Sequence, residues 1–236
     1  MKKAIIVGGT SGIGKELAKL LVGNNYKVGA VGLKNGQEEL SFAQSDCLEY
    51  QYFDCTKENN SVRIADLVGS LGGLDLLIFS AGVGNLNNNL GFEVENRANK
   101  LNILVFTEIA DWSYRFFKEQ GNGHFVAISS IAGLRGYRVA PAYHAAKSYQ
   151  IRYLEALRQK AYRTGKPIYV TDIRPGFVKT EMSAGKKQFW AAPTKKAAKQ
   201  IFDLIRRKKD VGYVTKRWQI VAIIMKLLPS WIHKRM

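Results

Sequence analysis

The chain has 236 residues, 46% hydrophobic and 23% charged, the balance of an ordinary globular protein with length enough for one large α/β domain. Two cysteines, Cys47 and Cys55, are too few for a disulfide framework and are not spaced as a metal pair, so they read as reduced thiols of a cytosolic protein. The formal charge of +17 is uneven, with 15 Lys/Arg against 3 acids from Gly176 to Met236, which favours anionic partners such as phosphorylated cofactors or acidic lipids.

Only four apolar residues follow Met1-Lys2-Lys3 before Gly8, too few for a signal-peptide core, so Ala4–Val7 reads as a first strand. Gly12–Val22 follows as a helix with Leu17, Leu20 and Leu21 on one face. Lys27–Val31 and Tyr50–Asp54 read as the next strands, with a helix over Gln37–Gln44 between them. Leu74–Phe79 is nearly all apolar, as expected of a strand covered on both faces. A long helix over Glu95–Lys118 leads to the strand His124–Ser129, and a helix over Ala142–Thr164 precedes the strand Ile168–Ile173. A helix over Thr194–Arg207, a short strand at Gly212–Val214 and an apolar, basic helix over 216–236 complete the chain. Strands alternating with crossover helices predict a doubly wound parallel α/β sheet of about seven strands, with helices on both faces, in one domain over 1–236. No apolar run reaches the roughly 18 residues that span a bilayer.

In such sheets ligands bind beyond the carboxyl ends of strands, so the turns there carry the chemistry. The first strand runs into Gly8-Gly9-Thr10-Ser11-Gly12-Ile13-Gly14. Glycine permits both the sharp turn and the close approach of a pyrophosphate to bare backbone at a helix N-terminus. A ligand-free glycine turn is the alternative; a P-loop is excluded, because no Gly-Lys-Ser/Thr follows. Where NAD sites place an acid after the second strand, this chain has Lys34, which suits a 2′-phosphate and favours NADP(H) over NAD(H). Asp54, at the end of the third strand, faces either an adenine amine or its own backbone as a cap.

Tyr143 and Lys147 stand one helical turn apart on one face. An ammonium beside a phenol favours the phenolate, lowering a pKa that is otherwise about 10 and giving an acid/base near neutral pH. Ser130, directly after an apolar strand, is placed to orient a substrate carbonyl. His144 lies between the pair in sequence but points elsewhere and reads as structural. His124 and His233 lack partner patterns, so no metal is expected.

Together these elements make the chain resemble the short-chain dehydrogenase/reductase family over nearly its whole length. The matching residues are Gly8, Gly12 and Gly14; Asp54; Ser80-Ala81-Gly82; Asn102; Ser129-Ser130-Ile131-Ala132-Gly133; Tyr143 and Lys147; and Arg174-Pro175-Gly176-Phe177-Val178-Lys179-Thr180. The resemblance implies a Rossmann-type fold and a hydride exchange with a carbonyl/alcohol pair. It implies that Tyr143 moves the proton, Lys147 holds the nicotinamide ribose and lowers the tyrosine pKa, and Ser130 binds the substrate oxygen. It implies that Asn102 anchors a water chain to Lys147, that Pro175 and Gly176 pass the nicotinamide, and that Val178 and Thr180 bond its carboxamide. Asp54 and Cys55 meet the adenine. The chain departs from the family pattern at Ser80, which stands where asparagine is usual, and at Val7 and Val105. A homodimer or tetramer built on the helices bearing Asn102 and Tyr143 is also implied. The alternatives are a non-catalytic dinucleotide-binding scaffold and a sugar epimerase or dehydratase, for which the chain ends too soon.

Leu134–Ala140 and the stretch after Thr180 should border the substrate. Met182, Phe189 and Trp190 suggest an apolar lid with Gly185 as its hinge, and Arg135, Arg138 and Lys186 are candidates to meet an anionic substrate. The C-terminal segment, with Trp218 and Trp231 among Ile, Leu and Lys/Arg, suits a helix lying in a membrane interface, which would make an apolar or lipid-linked substrate plausible; packing on its own domain or on another subunit is the alternative. No nucleic-acid module is present.

Overall fold

The structure, a computed structural model, describes residues 1–34, 46–57, 59–180 and 189–235. Its organisation begins with the period of two in the first strand, β1 (Lys2–Val7). Ala4 and Ile6 face one apolar core, Ile5 and Val7 the other, and all four are fully buried. The first core is closed by α1 (Gly12–Val22) and α6 (Thr194–Arg206), through Leu17, Leu21, Ala197 and Ile201. The second is closed by α2 (Asn60–Leu71), α4 (Phe106–Gln120) and α5 (Pro141–Arg163), through Ile64, Leu67, Phe106, Phe117 and Leu154.

The sheet adds β2 (Tyr26–Gly32), β3 (Leu48–Tyr52), β4 (Leu76–Phe79), β5 (Gly123–Ile128), β6 (Ile168–Pro175) and β9 (Val211–Val214). Its seven strands run in the order β3-β2-β1-β4-β5-β6-β9, and every pair is parallel. The chain steps outward from β1 to β3, then crosses back to β4 on the other side of β1. This switch point opens a crevice at the carboxyl ends of β1 and β4. Both strands turn there on one acceptor: the amides of Ser80 and Ala81 each donate to the Val7 carbonyl, at 2.7 and 2.9 Å. A small two-stranded pair, β7 (Val178–Lys179) with β8 (Ala192–Pro193), sits beyond β6.

Three expectations change. Asn60–Leu71 is a helix that was not anticipated, although its buried Ile64, Leu67, Val68 and Leu71 keep helical spacing. The helix expected over Glu95–Lys118 is three pieces: α3 (Phe92–Asn99), a π-helical turn over Lys100–Val105, and α4. The extra residue per turn shifts register within the helix, and buried Asn102 lies in that turn. The C-terminal helix is two, α7 (Arg217–Leu227) and α8 (Ser230–His233), because Pro229 cannot continue α7. The helix expected over 37–44 lies outside the described residues.

Candidate active site

The glycine turn is built by close contact. Gly8 and Gly12 take φ of +84° and +52°, which favour glycine. A Cβ on Gly14 would stand 1.9 Å from the Gly8 carbonyl oxygen, so the turn folds tightly onto the start of α1. Thr10 lies over Gly32, where a Cβ would meet its Oγ1 at 2.2 Å. Ser11 is the N-cap of α1 yet makes no side-chain capping bond, so backbone amides next to Ile13 are left for an anion. Thr180, far along the chain, borders the same turn, 3.5 Å from the Cβ position of Gly12. The floor beyond β4 is equally bare. A Cβ on Gly82 would lie 3.3 Å from Asn102 Oδ1 and 3.5 Å from Lys147 Nζ, and one on Gly84 would meet the Tyr143 ring at 2.9 Å. A dinucleotide running from the glycine turn to Lys147 fits this uninterrupted backbone cradle.

At its far end four side chains converge. Ser130 follows β5 as the N-cap of a short 3-10 turn (Ile131–Leu134), its hydroxyl accepting from the Ala132 amide at 3.0 Å. The same hydroxyl hydrogen-bonds Tyr143 and lies 3.4 Å from the Pro175 carbonyl oxygen. Tyr143 sits in the first turn of α5, whose Ala142 amide donates to the Glu95 carboxylate at 2.8 Å. A carboxylate at a helix N-terminus is favoured by the helix dipole, and this one fixes where Tyr143 begins its turn. Lys147 is buried, with Nζ 5.9 Å from the centroid of the Tyr143 ring. Asn102 holds both backbone groups of Val83, accepting from its amide at 3.1 Å and donating to its carbonyl at 2.7 Å.

Gln150, which the sequence reading passed over, joins this group. Its Oε1 accepts from Lys147 Nζ at 3.0 Å and its Nε2 donates to the Asn102 carbonyl at 2.8 Å. The backbone carbonyl of Asn102 thus accepts a side-chain amide. Lys147 Nζ also donates to the Ile128 carbonyl at 3.1 Å. Those two bonds leave one N–H of the ammonium for a ligand. A signal existed: Gln150 interrupts the apolar stripe of Ala146, Ile151, Leu154 and Leu157.

The electrostatics correct one expectation. Burial raises the Tyr143 pKa, opposed only partly by the Ser130 hydrogen bond, instead of the lowering anticipated from Lys147. Burial also brings Lys147 down to about 8, with the Asp172 carboxylate pulling the other way. Asp172 is itself fully buried, bonded by Ser129 Oγ and by Arg174 Nε at 2.7 Å.

Other expected site residues sit less centrally. Lys34 is exposed beyond β2. Asp54 Oδ1 accepts from the Thr56 amide and hydroxyl at 2.9 and 2.7 Å, which lowers its pKa and makes it a strand-end cap. Cys55 beside it is buried. Gly176 and Val178 line the strand exit, where Gly176 lies directly under the Trp218 indole. His144 Nδ1 bonds the Arg135 carbonyl at 2.8 Å, a structural tie. Arg135 does not face the cleft: its guanidinium donates to the Met225 carbonyl at 2.8 Å and to that of Leu228, capping α7. Arg138 is exposed. Met182, Gly185 and Lys186 lie outside the described residues, whereas Phe189 and Trp190 stack on each other beside Trp218.

Comparison with known proteins agrees with this geometry. A family described as short chain dehydrogenase matches residues 2–189. An uncharacterized oxidoreductase of Myxococcus xanthus is 33% identical over 190 residues, covering 78% of this chain and 74% of its own. A 3-oxoacyl-(acyl-carrier-protein) reductase of Chlamydia muridarum is 28% identical over 192 residues, covering 78% and 77%. Among solved structures, a short chain dehydrogenase from Burkholderia cenocepacia in complex with NADP superposes with a TM-score of 0.83 at 18% identity, covering 100% of this chain and 98% of that one.

Proposed function

The chain belongs to the short-chain dehydrogenase/reductase family, and from that premise we propose that it moves a hydride between NADP(H) and a carbonyl/alcohol pair. The observation that carries this reading is the convergence of Ser130, Tyr143 and Lys147 at the end of the glycine-floored cradle. Bound nicotinamide supplies the hydride in reduction and takes it in oxidation. Gly8, Thr10, Ser11, Gly12, Ile13 and Gly14 would hold the pyrophosphate, Ser80, Ala81 and Gly82 the floor, and Asp54 and Cys55 the adenine end. Pro175, Gly176, Val178 and Thr180 would flank the nicotinamide. Lys34, in a strand end Ala30–Lys34 that carries no acid, favours NADP(H), with NAD(H) as the alternative.

In reduction, the Ser130 hydroxyl binds the substrate oxygen and Tyr143 donates the proton. A raised phenol pKa keeps Tyr143 protonated at neutral pH, the state a donor needs, and an alkoxide is basic enough to take that proton. Lys147 then stands beside the phenolate as the compensating cation. Its remaining N–H would hold the nicotinamide ribose.

Tyr143→Phe should cut turnover of an NADPH-dependent ketone reduction by roughly 10²–10⁴, with NADPH affinity nearly unchanged. Reductive turnover should also fall as pH rises through about 8, where Lys147 loses its charge. A Tyr143→Phe protein as active as the parent would remove this mechanism. NADPH binding without turnover across a broad panel of carbonyls and alcohols would favour a scaffold.

The same reading includes a homodimer or tetramer. Its support is the half-buried aromatic surface of α4 and α5, where the stacked pairs Trp112–Phe116 and Tyr149–Tyr153 lie. It also includes a cytoplasmic location with peripheral membrane contact and an apolar or lipid-linked substrate, for which the C-terminal segment is the support.

A further inference from the structure

Residues 217–235 form a surface that neither the fold nor the cradle requires. On α7, Trp218 and Ala222 are buried against the domain. Ile220, Ile223, Ile224 and Leu227 run along the opposite face at spacings of three and four, and Trp231 of the following α8 is exposed as well. These five are between 52% and 77% exposed. Such a stripe leaves an apolar face turned outward, where a helix at a protein surface ordinarily presents polar residues. Among the described residues, no helix is long and apolar enough to cross a membrane.

Charge decides what the stripe meets. From Val211 to Met236 the sequence carries Lys216, Arg217, Lys226, Lys234 and Arg235, and no Asp or Glu. A second copy related by twofold symmetry would set this patch against itself, cation near cation with no acid from the segment to pair them. An anionic bilayer reverses that: isoleucine and leucine enter the acyl boundary, tryptophan suits the headgroup level, and lysine and arginine reach phosphates.

The helix is also tied to both walls of the cleft mouth. Arg135, from the segment after Ser130, caps the α7 carbonyls. At the other end, Trp218 packs edge-on against Phe177 and Trp190, and Arg217 donates to the Trp190 carbonyl at 3.0 Å. We propose that the α7–α8 face is a docking surface for anionic membranes, holding the mouth of the cleft at the lipid surface and selecting an amphiphilic carbonyl substrate presented there. The substrate part rests on the oxidoreductase reading; the docking does not.

The test uses the full chain and two kinds of vesicle, pure phosphatidylcholine and phosphatidylcholine mixed with phosphatidylglycerol. Co-sedimentation should be strong with the mixed vesicles, weak with the neutral ones, and reduced by salt. Ile223→Glu/Ile224→Glu should weaken binding about tenfold or more. Lys226→Glu/Lys234→Glu should weaken it as well, while both variants keep the thermal midpoint of the parent. A parent protein that stays in the supernatant with both vesicles would overturn the docking. So would light scattering that shows a dimer broken by Ile223→Glu/Ile224→Glu, since a second copy would then cover the face. Turnover of a water-soluble ketone, measured alongside, reports on the oxidoreductase reading separately. If the protein docks, that reading holds and amphiphilic and soluble ketones are reduced equally well on the mixed vesicles, the substrate part fails alone.

Discussion

Two helices flank the turn after Ser130, and they break the rule of apolar inside and polar outside in opposite directions. Helix α5 buries Lys147 and Gln150 on its inner face, while α7 exposes Ile220, Ile223, Ile224 and Leu227 on its outer one. Both are seated on bare glycine backbone. A Cβ on Gly133 would stand 2.6 Å from the Lys147 carbonyl group, and one on Gly176 would stand 2.1 Å from the Trp218 ring. The similarity of seating makes the difference of surface informative. Each helix is fixed as a structural part, and each then carries residues that stability alone would not choose. On α5 those residues converge on Tyr143 and Asn102; on α7 they converge on nothing among the described residues.

The largest effect should come from unseating α5. Gly133→Ala presses a methyl group into helix backbone, which cannot rotate away as a side chain can. We expect a loss of roughly 2–3 kcal/mol in denaturant unfolding. Turnover should fall further than stability explains, because Ser130 and Tyr143 reach each other across this contact. Normal turnover in Gly133→Ala would show that the α5 seating does not set the site geometry.

Gln150→Leu should act on the same helix more selectively. It leaves the Lys147 ammonium and the Asn102 carbonyl each short of a partner, at about 1–3 kcal/mol. A hydrogen bond to the charged amine favours the charged form, so its loss lowers the Lys147 pKa. The alkaline fall in turnover should therefore begin below the parent's value of about 8. An unmoved pH profile, with stability reduced, would make Gln150 a packing residue only.

How much of this contrast the sequence contains differs between the helices. On α5, Tyr143 and Lys147 were legible because their spacing encodes a shared face, and the glycine turn was legible because strand, turn and helix are consecutive. Gln150 stood on the same face as a polar break in an apolar stripe and was readable by the same periodicity. Glu95 was not, since the reach from α3 to the Ala142 amide is a tertiary fact with no local pattern. The raised Tyr143 pKa was hidden for a related reason: spacing shows that an ammonium is near, whereas burial shows how strongly the phenolate is penalised. Asn102 was marked by resemblance, but the π-helical turn holding it depends on how α3 and α4 pack. On α7 the composition announced an apolar basic helix without saying which face would be covered. Only the contacts of Trp218, Ala222 and Arg135 divide it into an inner and an outer side.

The smallest expected effect tests that division directly. Ile224→Ser removes a large apolar side chain from α7. Were Ile224 packed within the domain, losing it would cost about 2–5 kcal/mol, as truncation of a core isoleucine does. Because it is more than half exposed, the change should stay within about 0.5 kcal/mol, slightly reduced by the poorer helix propensity of serine. Thermal unfolding of the dilute protein without lipid should be indistinguishable from the parent's, and ketone turnover unchanged. The comparison with Trp218→Ala sharpens the result, since that side chain belongs to the buried face and its loss should loosen α7 and lower the melting temperature. A large destabilisation by Ile224→Ser would mean that the outer stripe is already covered by protein, and α7 would then obey the same inside-outside rule as any core helix.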